Sequence, residues 1–474
     1  MMAKSTVISQ TRSSLPGPQG LPLLGGKVGM LQLYQQPVTY LRHMYNTYGD
    51  IVVVTKNDPM FVFAFGPQYN FRLLSDPDLF HVSTDKTFKK VPHGTALTRL
   101  WFNNLQRMNG DQHKQQRRLM MPSFHKKQIV HYHNDMIDQT QRMLDQWQAN
   151  TGSELNLLLE MQRLTQAVTV KTLFGLDDDV KVKSLGDQMQ NLVKITSLGL
   201  LIPIDFPGSP YRQALKAAQK FEAEIRAIIE QKRAQPEATD VMAMLIQAHD
   251  EDGEKLNEDN LIGHAFALYV AGHETTANAL TWTHFLLEQH PHSLADLLDE
   301  LDAKLHGAPP TIEQLSQLPL LESVVKESMR LFPPAMAGLR ITTEACELGG
   351  FELAANTNIM YSEFITHRMP ELYEEPDRFK PERWLALDRS PYEYLPFSAG
   401  HHMCIAASFA MQELKIVLAM MLQRYRLAVR PNVKISTNLR MHAQPGMPVR
   451  IFAQDRQFKR TPVRGPIQSM VDIR

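Results

Sequence analysis

The chain has 474 residues, 43% of them hydrophobic and 21% charged, a balance that suits a globular protein with a large core and excludes disordered, collagen-like and low-complexity chains. Fifty Lys and Arg offset fifty Asp and Glu, so no net field draws the chain to nucleic acid or to an anionic membrane. The two cysteines, Cys346 and Cys404, form neither a disulfide framework nor a cysteine zinc pattern, and they favour a reducing, cytoplasmic setting.

In chain order, residues 1–26 read as a polar segment followed by a stiff arm in which Pro16, Pro18 and Pro22 alternate with Gly17, Gly25 and Gly26. Residues 27–474 are expected to form a single domain. Residues 51–54 and 61–65 are β-branched or aromatic runs bounded by turn residues, the composition of a strand pair. Helical patterns then dominate, at 214–234 before Pro236, at 258–290 before Pro291, at 321–332 before Pro333, and at 409–427. The 258–290 segment is apolar nearly all round at its centre, which marks a helix buried in a core. Short strand-like pieces follow at 351–353 and 358–360. The expected class is mainly α with a small β part. No apolar stretch reaches the roughly 18 residues of a membrane-spanning helix, and no secretory signal is readable, so no transmembrane anchor is expected.

Three constellations carry chemistry. Phe397-Ser-Ala-Gly400-His-His402-Met-Cys404-Ile-Ala406 lies directly before the last helix. A helix N-terminus and converging backbone N–H groups keep a thiolate charged, and Gly400 permits a tight turn beside it. Ala271-Gly-His-Glu274-Thr275-Thr276 sits in the middle of the long helix, where an acid and a hydroxyl are costly unless paired and a Thr hydroxyl can bond back to the carbonyl four residues earlier. Glu327-Ser-Met-Arg330 places two charges on one helical face, and Pro381-Glu-Arg383-Trp384 follows it.

Taken in order, these segments resemble the cytochrome P-450 superfamily, the haem-thiolate monooxygenases, and specifically its soluble bacterial-type members. The resemblance implies that superfamily's fold, with the long central helix lying over haem b. It makes Cys404 the iron ligand, with Phe397, Gly400 and Ala271 beside the cofactor. Thr275 and Glu274 become the alcohol and acid that deliver protons for O2 cleavage. Glu327, Arg330 and Arg383 form a structural network. His113, Arg117, Arg340 and His402 become partners of the haem propionates. Three positions depart from the family pattern: Ala406 and Ser398 replace frequent glycines, and Asn356 stands at a usual Gly turn, where Asn tolerates the left-handed conformation.

The implied reaction inserts one oxygen atom of O2 into a hydrophobic substrate, by hydroxylation or epoxidation. Electrons would come from NAD(P)H through a separate ferredoxin- or flavodoxin-type donor, because no Gly-rich dinucleotide or phosphate loop occurs. A peroxygenase or isomerase that needs no donor, and a non-catalytic haem or lipid carrier, are the alternatives. Pocket walls are expected from 82–108, 198–210, Phe266, Val270 and 335–337, and fatty acids, isoprenoids and polycyclic aromatics are the substrate classes in that order. A monomer is expected, cytoplasmic, with the 198–202 segment available for peripheral membrane contact. His131, His133 and the remaining histidines lack zinc-helix spacing and read as surface or core residues.

Overall fold

Capping residues and prolines set where the long helices start. The computed structural model describes residues 14–20, 26–56, 59–83, 93–201, 203–251 and 253–473. Most of the expected N-terminal segment, part of the arm and residues 84–92 of the expected pocket wall therefore lie outside the described residues. Helix Pro210–Arg233 begins earlier than its composition suggests. Ser209 caps it by accepting from Arg212 N at 3.1 Å, and Pro210 fits the first turn, where no N–H is needed. The central helix, Glu258–Gln289, spans 32 residues and is capped by Asn257, whose side chain accepts from Asn260 N at 2.8 Å. From Ala277 to Gln289 every residue is buried, as the all-round apolar pattern requires. Helix Pro319–Leu331 stops where Phe332 leads into Pro333 and Pro334.

The last helix is shorter than expected. Ala407–Arg424 gives way to a strand, Tyr425–Val429, and the helical pattern does not continue to 427. Burial in that strand alternates with period two, and it pairs antiparallel with Pro448–Ala453, which in turn pairs with Glu154–Asn156. Tyr425 is pinned as its hydroxyl donates to Leu144 O at 2.7 Å. These partners are remote in sequence, so local pattern alone does not reveal the switch.

The expected strand pair forms, as Ile51–Val53 against Phe61–Ala64. It belongs to a five-stranded sheet in the order Ile51–Val53, Phe61–Ala64, Asn358–Tyr361, Gly338–Thr342, Phe80–His81. Only the Phe61–Ala64 and Asn358–Tyr361 neighbours run parallel. An apolar cluster of Ile51, Val62, Phe80 and Tyr361 reaches Leu395 and Ala399, so the loop leading to Cys404 is seated on this sheet. The larger core surrounds the central helix, with Trp282 stacked on Phe332 at 4.3 Å between ring centroids.

Candidate active site

The segment before helix Ala407–Arg424 folds back on itself. Cys404 N donates to Phe397 O at 2.8 Å, and Met403 N donates to Gly400 O at 3.1 Å. Ser398 and Gly400 both have left-handed φ values, 56° and 67°. At Gly400 a Cβ would lie 1.9 Å from Leu74 O, so the close approach admits glycine alone. Asn356 also takes a positive φ, 65°, as its place in a left-handed turn required. Burial pushes the Cys404 thiol up, and the Ala406 backbone N–H and the Arg117 guanidinium oppose that push. Arg117 is held in place as its Nη1 donates to Met403 O at 2.8 Å.

Cys404 and Phe397 line a cavity of about 370 Å³ whose opposite wall is the central helix. Ala267, Ala271, Thr275 and Ala279 succeed one another at one turn each and present small side chains to it. Thr275 Oγ1 donates to Ala271 O at 2.7 Å, the back-bond the sequence suggested. The wall face differs from the one expected. Phe266 turns into the core against Trp101 and Phe221, at centroid distances of 5.0 and 5.8 Å, and Leu268 and Gly272 line the cavity where Val270 was expected. Leu105 and Gln106 contribute from the 82–108 stretch, and Pro334 and Ala335 from beyond helix Pro319–Leu331, while no residue of 203–210 lines the cavity.

Glu274 is not on the cavity wall. Its carboxylate pairs with Arg440 Nη1 at 3.4 Å, on the side of the helix away from Cys404. One residue is about 100° of helical rotation, which separates the two members of the acid–alcohol pair.

Four basic residues gather at one edge of the cavity. His113, on helix Gly110–Met120, packs its ring against that of His402, tilted by 36° with centroids 4.0 Å apart. Arg117 lies one turn further along that helix, and Arg340 is buried on strand Gly338–Thr342 over the Tyr361 ring at 5.6 Å. Among the described residues, neither arginine has a carboxylate within ion-pair distance, and His113 Nε2 is buried without a partner. Burial, reinforced by Arg117, His401 and Arg340, lowers His113 to about 4. Burial with His113 and both arginines lowers His402 to about 2. Two arginines without an ion-pair partner among the described residues, beside two neutral imidazoles able to donate hydrogen bonds, suit a ligand that brings its own carboxylates.

Behind the loop, Glu327 accepts from Arg330 Nε at 2.9 Å and Nη2 at 2.8 Å, from Arg383 Nε at 3.0 Å and from Trp384 Nε1 at 2.9 Å. Burial alone would raise the Glu327 carboxyl; Arg330 and Arg383 outweigh it and hold the group below its usual range. The Arg330 carbonyl is hydrogen-bonded to His367 Nδ1 at 3.3 Å, and His367 Nε2 accepts from Leu395 N at 2.8 Å, which ties this helix to the cysteine loop. Sequence reasoning missed His367. It also missed Glu363, a buried cavity-lining carboxyl that burial raises to about 8, and the Arg440–His442 segment facing Glu274. Nothing local marks any of them.

The sequence matches the cytochrome P-450 family over residues 15–449. The chain belongs to the cytochrome P-450 family. It is 30% identical over 446 residues to cyclooctat-9-en-7-ol 5-monooxygenase of Streptomyces melanosporofaciens, covering 90% of this chain and 91% of the relative. Cyclooctatin synthase of the same organism is 29% identical, covering 93% of this chain and 95% of that protein. The solved structure of retinoic-acid-bound cyanobacterial CYP120A1 superposes with a TM-score of 0.79 at 24% identity, covering 94% of this chain and 100% of that one, which shows the same fold. The protein is therefore a cytochrome P-450 monooxygenase, an oxidoreductase of the haem-dependent kind. Family membership implies haem, and the residues present fit it: a cysteine at a helix start, a row of small side chains opposite, and cations lacking counter-charge. No described helix is long and apolar enough to cross a membrane.

Proposed function

We propose that this cytochrome P-450 holds haem b through Cys404 and hydroxylates or epoxidises a hydrophobic substrate. In the balanced hydroxylation, C–H, O2, two electrons and two protons give C–OH and water. The observation that carries the reading is the cavity that has Cys404 on one wall and the Ala267–Ala271–Thr275–Ala279 row on the other. Bound haem supplies the iron chemistry that activates dioxygen, with thiolate ligation favouring O–O cleavage.

The chain's own residues do the rest. Phe397 and Gly400 hold the cysteine loop, and the Ala406 N–H tempers the sulfur charge. His113, Arg117, Arg340 and His402 would pair with the propionates. Thr275 holds a hydroxyl at the cavity wall, and Glu274 supplies protons to that side of the helix from its position beside Arg440. Glu327, Arg330 and Arg383 keep residues 367–395 in register with the loop.

Electrons come from NAD(P)H by way of a ferredoxin- or flavodoxin-type donor; the exposed Met403, next to Cys404, leaves that face open to one. Leu268, Leu173, Met120 and Phe124 make the cavity apolar. Among fatty acids, isoprenoids and polycyclic aromatics, the relative acting on a cyclic alkenol favours a cyclic skeleton. Residues 27–474 are read as one domain, since the main core runs from Leu33 to Val471. The protein is read as a cytoplasmic monomer. Exposed Leu198, Ile204 and Phe206 support peripheral membrane contact, which liposome flotation tests.

A peroxygenase reading draws on one observation, the Glu274 carboxylate turned from the cavity. Peroxide-driven turnover that matches donor-driven turnover would decide for it. The deciding experiment for the main reading is the carbon monoxide difference spectrum of the reduced protein beside Cys404→Ser. A strongly red-shifted band lost in the variant is expected; a histidine-type spectrum that survives the substitution would overturn the assignment.

A further inference from the structure

The side of the central helix away from Cys404 carries a second group of titratable residues. Residues 440–442 are pinned along it: Asn278 Nδ2 donates to Arg440 O at 3.0 Å, and Trp282 Nε1 donates to Met441 O at 2.6 Å. Asn278 and Trp282 lie one and two turns after Glu274, so the segment runs beside the helix and delivers Arg440 Nη1 to within 3.4 Å of Glu274 Oε2. His442 follows, fixed by its N–H to Asn438 Oδ1 at 3.2 Å, and its Nε2 is buried with no hydrogen-bond partner among the described residues. The same histidine lines a groove of about 1100 Å³ that opens between helix Leu157–Phe174 and the segment 430–446. A titratable ring that lines an open groove thus lies two residues along the chain from the arginine paired with the acid that precedes Thr275.

We propose that His442 is a positioning residue for proton supply, passing protons from the groove to Glu274. This rests on the reading of Glu274 and Thr275 given above. The step moves one proton and no electrons: the His442 imidazolium loses its proton to the Glu274 carboxylate, and the neutral ring regains one from hydronium or a buffer acid in the solvent-open groove, which leaves as water or the buffer base. Three charged or titratable groups face the ring. Burial lowers its proton affinity most, Glu274 raises it, and Arg440 and His273 lower it further. Arg440 also offsets the negative charge of Glu274 between transfers.

Two measurements test this on the full haem-loaded chain. In the ferrous carbon monoxide form, histidine NMR titration with His442→Gln as the assignment control reads the coupling directly. The His442 midpoint is expected to move down in Glu274→Gln and up in Arg440→Gln, while a midpoint unmoved by both overturns the proposal. The second measurement is product formed per electron consumed, across pH, with a competent donor. His442→Gln is expected to retain oxygen uptake and lose product by about a hundredfold, the low end for a lost acid–base group, together with the limb that falls as pH rises. Should Glu274→Gln lose product while His442→Gln keeps both yield and limb, this inference fails alone. If Glu274→Gln itself keeps full yield, the reading of Glu274 fails instead and takes the inference with it.

Discussion

Replacing Glu327 by Gln tests whether the buried network holds the fold. Its carboxylate accepts five hydrogen bonds: two from Arg330, and one each from Arg383, Trp384 and the Lys380 backbone. Glu327 and Arg330 are both 0% exposed, so no water can replace a lost partner. Gln keeps one acceptor oxygen and turns an NH2 group toward donors, while two guanidiniums lose their counter-charge. Leaving a buried partner uncompensated costs about 3–5 kcal/mol. With an unfolding entropy of about 2.1 cal/mol/K per residue, a chain of this length changes by about 1 kcal/mol per degree, so Tm falls by about 3–5 °C. Glu322→Gln on the same helix is the comparison; that carboxylate is 40% exposed, pairs with Lys326 and Lys415, and its loss costs below about 1 kcal/mol. Thermal melts of the cofactor-loaded protein by circular dichroism measure both. A Glu327→Gln melt no lower than that of Glu322→Gln would refute the reasoning.

Three further outcomes are expected. Gly400→Ala must place a side chain at φ 67° against the Leu74 carbonyl; the left-handed penalty alone, about 1–2 kcal/mol, lowers haem affinity about tenfold, read as haem bound per chain. Arg340→Leu removes a buried cation that has no carboxylate within ion-pair distance among the described residues, so the haem-free protein keeps or gains stability in urea while haem retention falls, and His113 titrates at higher pH because one of its repelling charges is gone. Glu288 is raised by burial to about 7 from 4.5, so its contribution is fully present below pH 4.5 and is lost as pH rises through 7. Glu288→Gln therefore gains on the parent by about 1.4 kcal/mol per pH unit across that window and levels off above it, in urea midpoints taken from pH 4.5 to 8.

Much of the site is legible locally because its chemistry is local. The cysteine loop depends on consecutive residues, a helix start and the left-handed Gly400, and the structure shows that conformation, as it does for Asn356 in its separate turn between two strands. The central helix is readable from its apolar run; it starts at the expected residue 258 and ends one residue before the expected 290. Sequence could not show that Glu327 and Arg330 are fully buried, since the same spacing on an exposed helix forms an ordinary surface pair. Nor could it show the exit into strand Tyr425–Val429, whose partners are Pro448–Ala453 and, through Tyr425, Leu144.

By itself the sequence determined the family, the buried helix and the mostly helical class, because each is encoded within a turn or two of chain. Tertiary structure alone decided which way side chains face. It put Thr275 on the cavity wall and Glu274 against Arg440, turned Phe266 into the core, and brought His113, Arg117, Arg340 and His402 from three remote segments to one edge. The physical reason is that a helix gives every residue a direction fixed only relative to its neighbours, and packing against distant segments sets the absolute orientation.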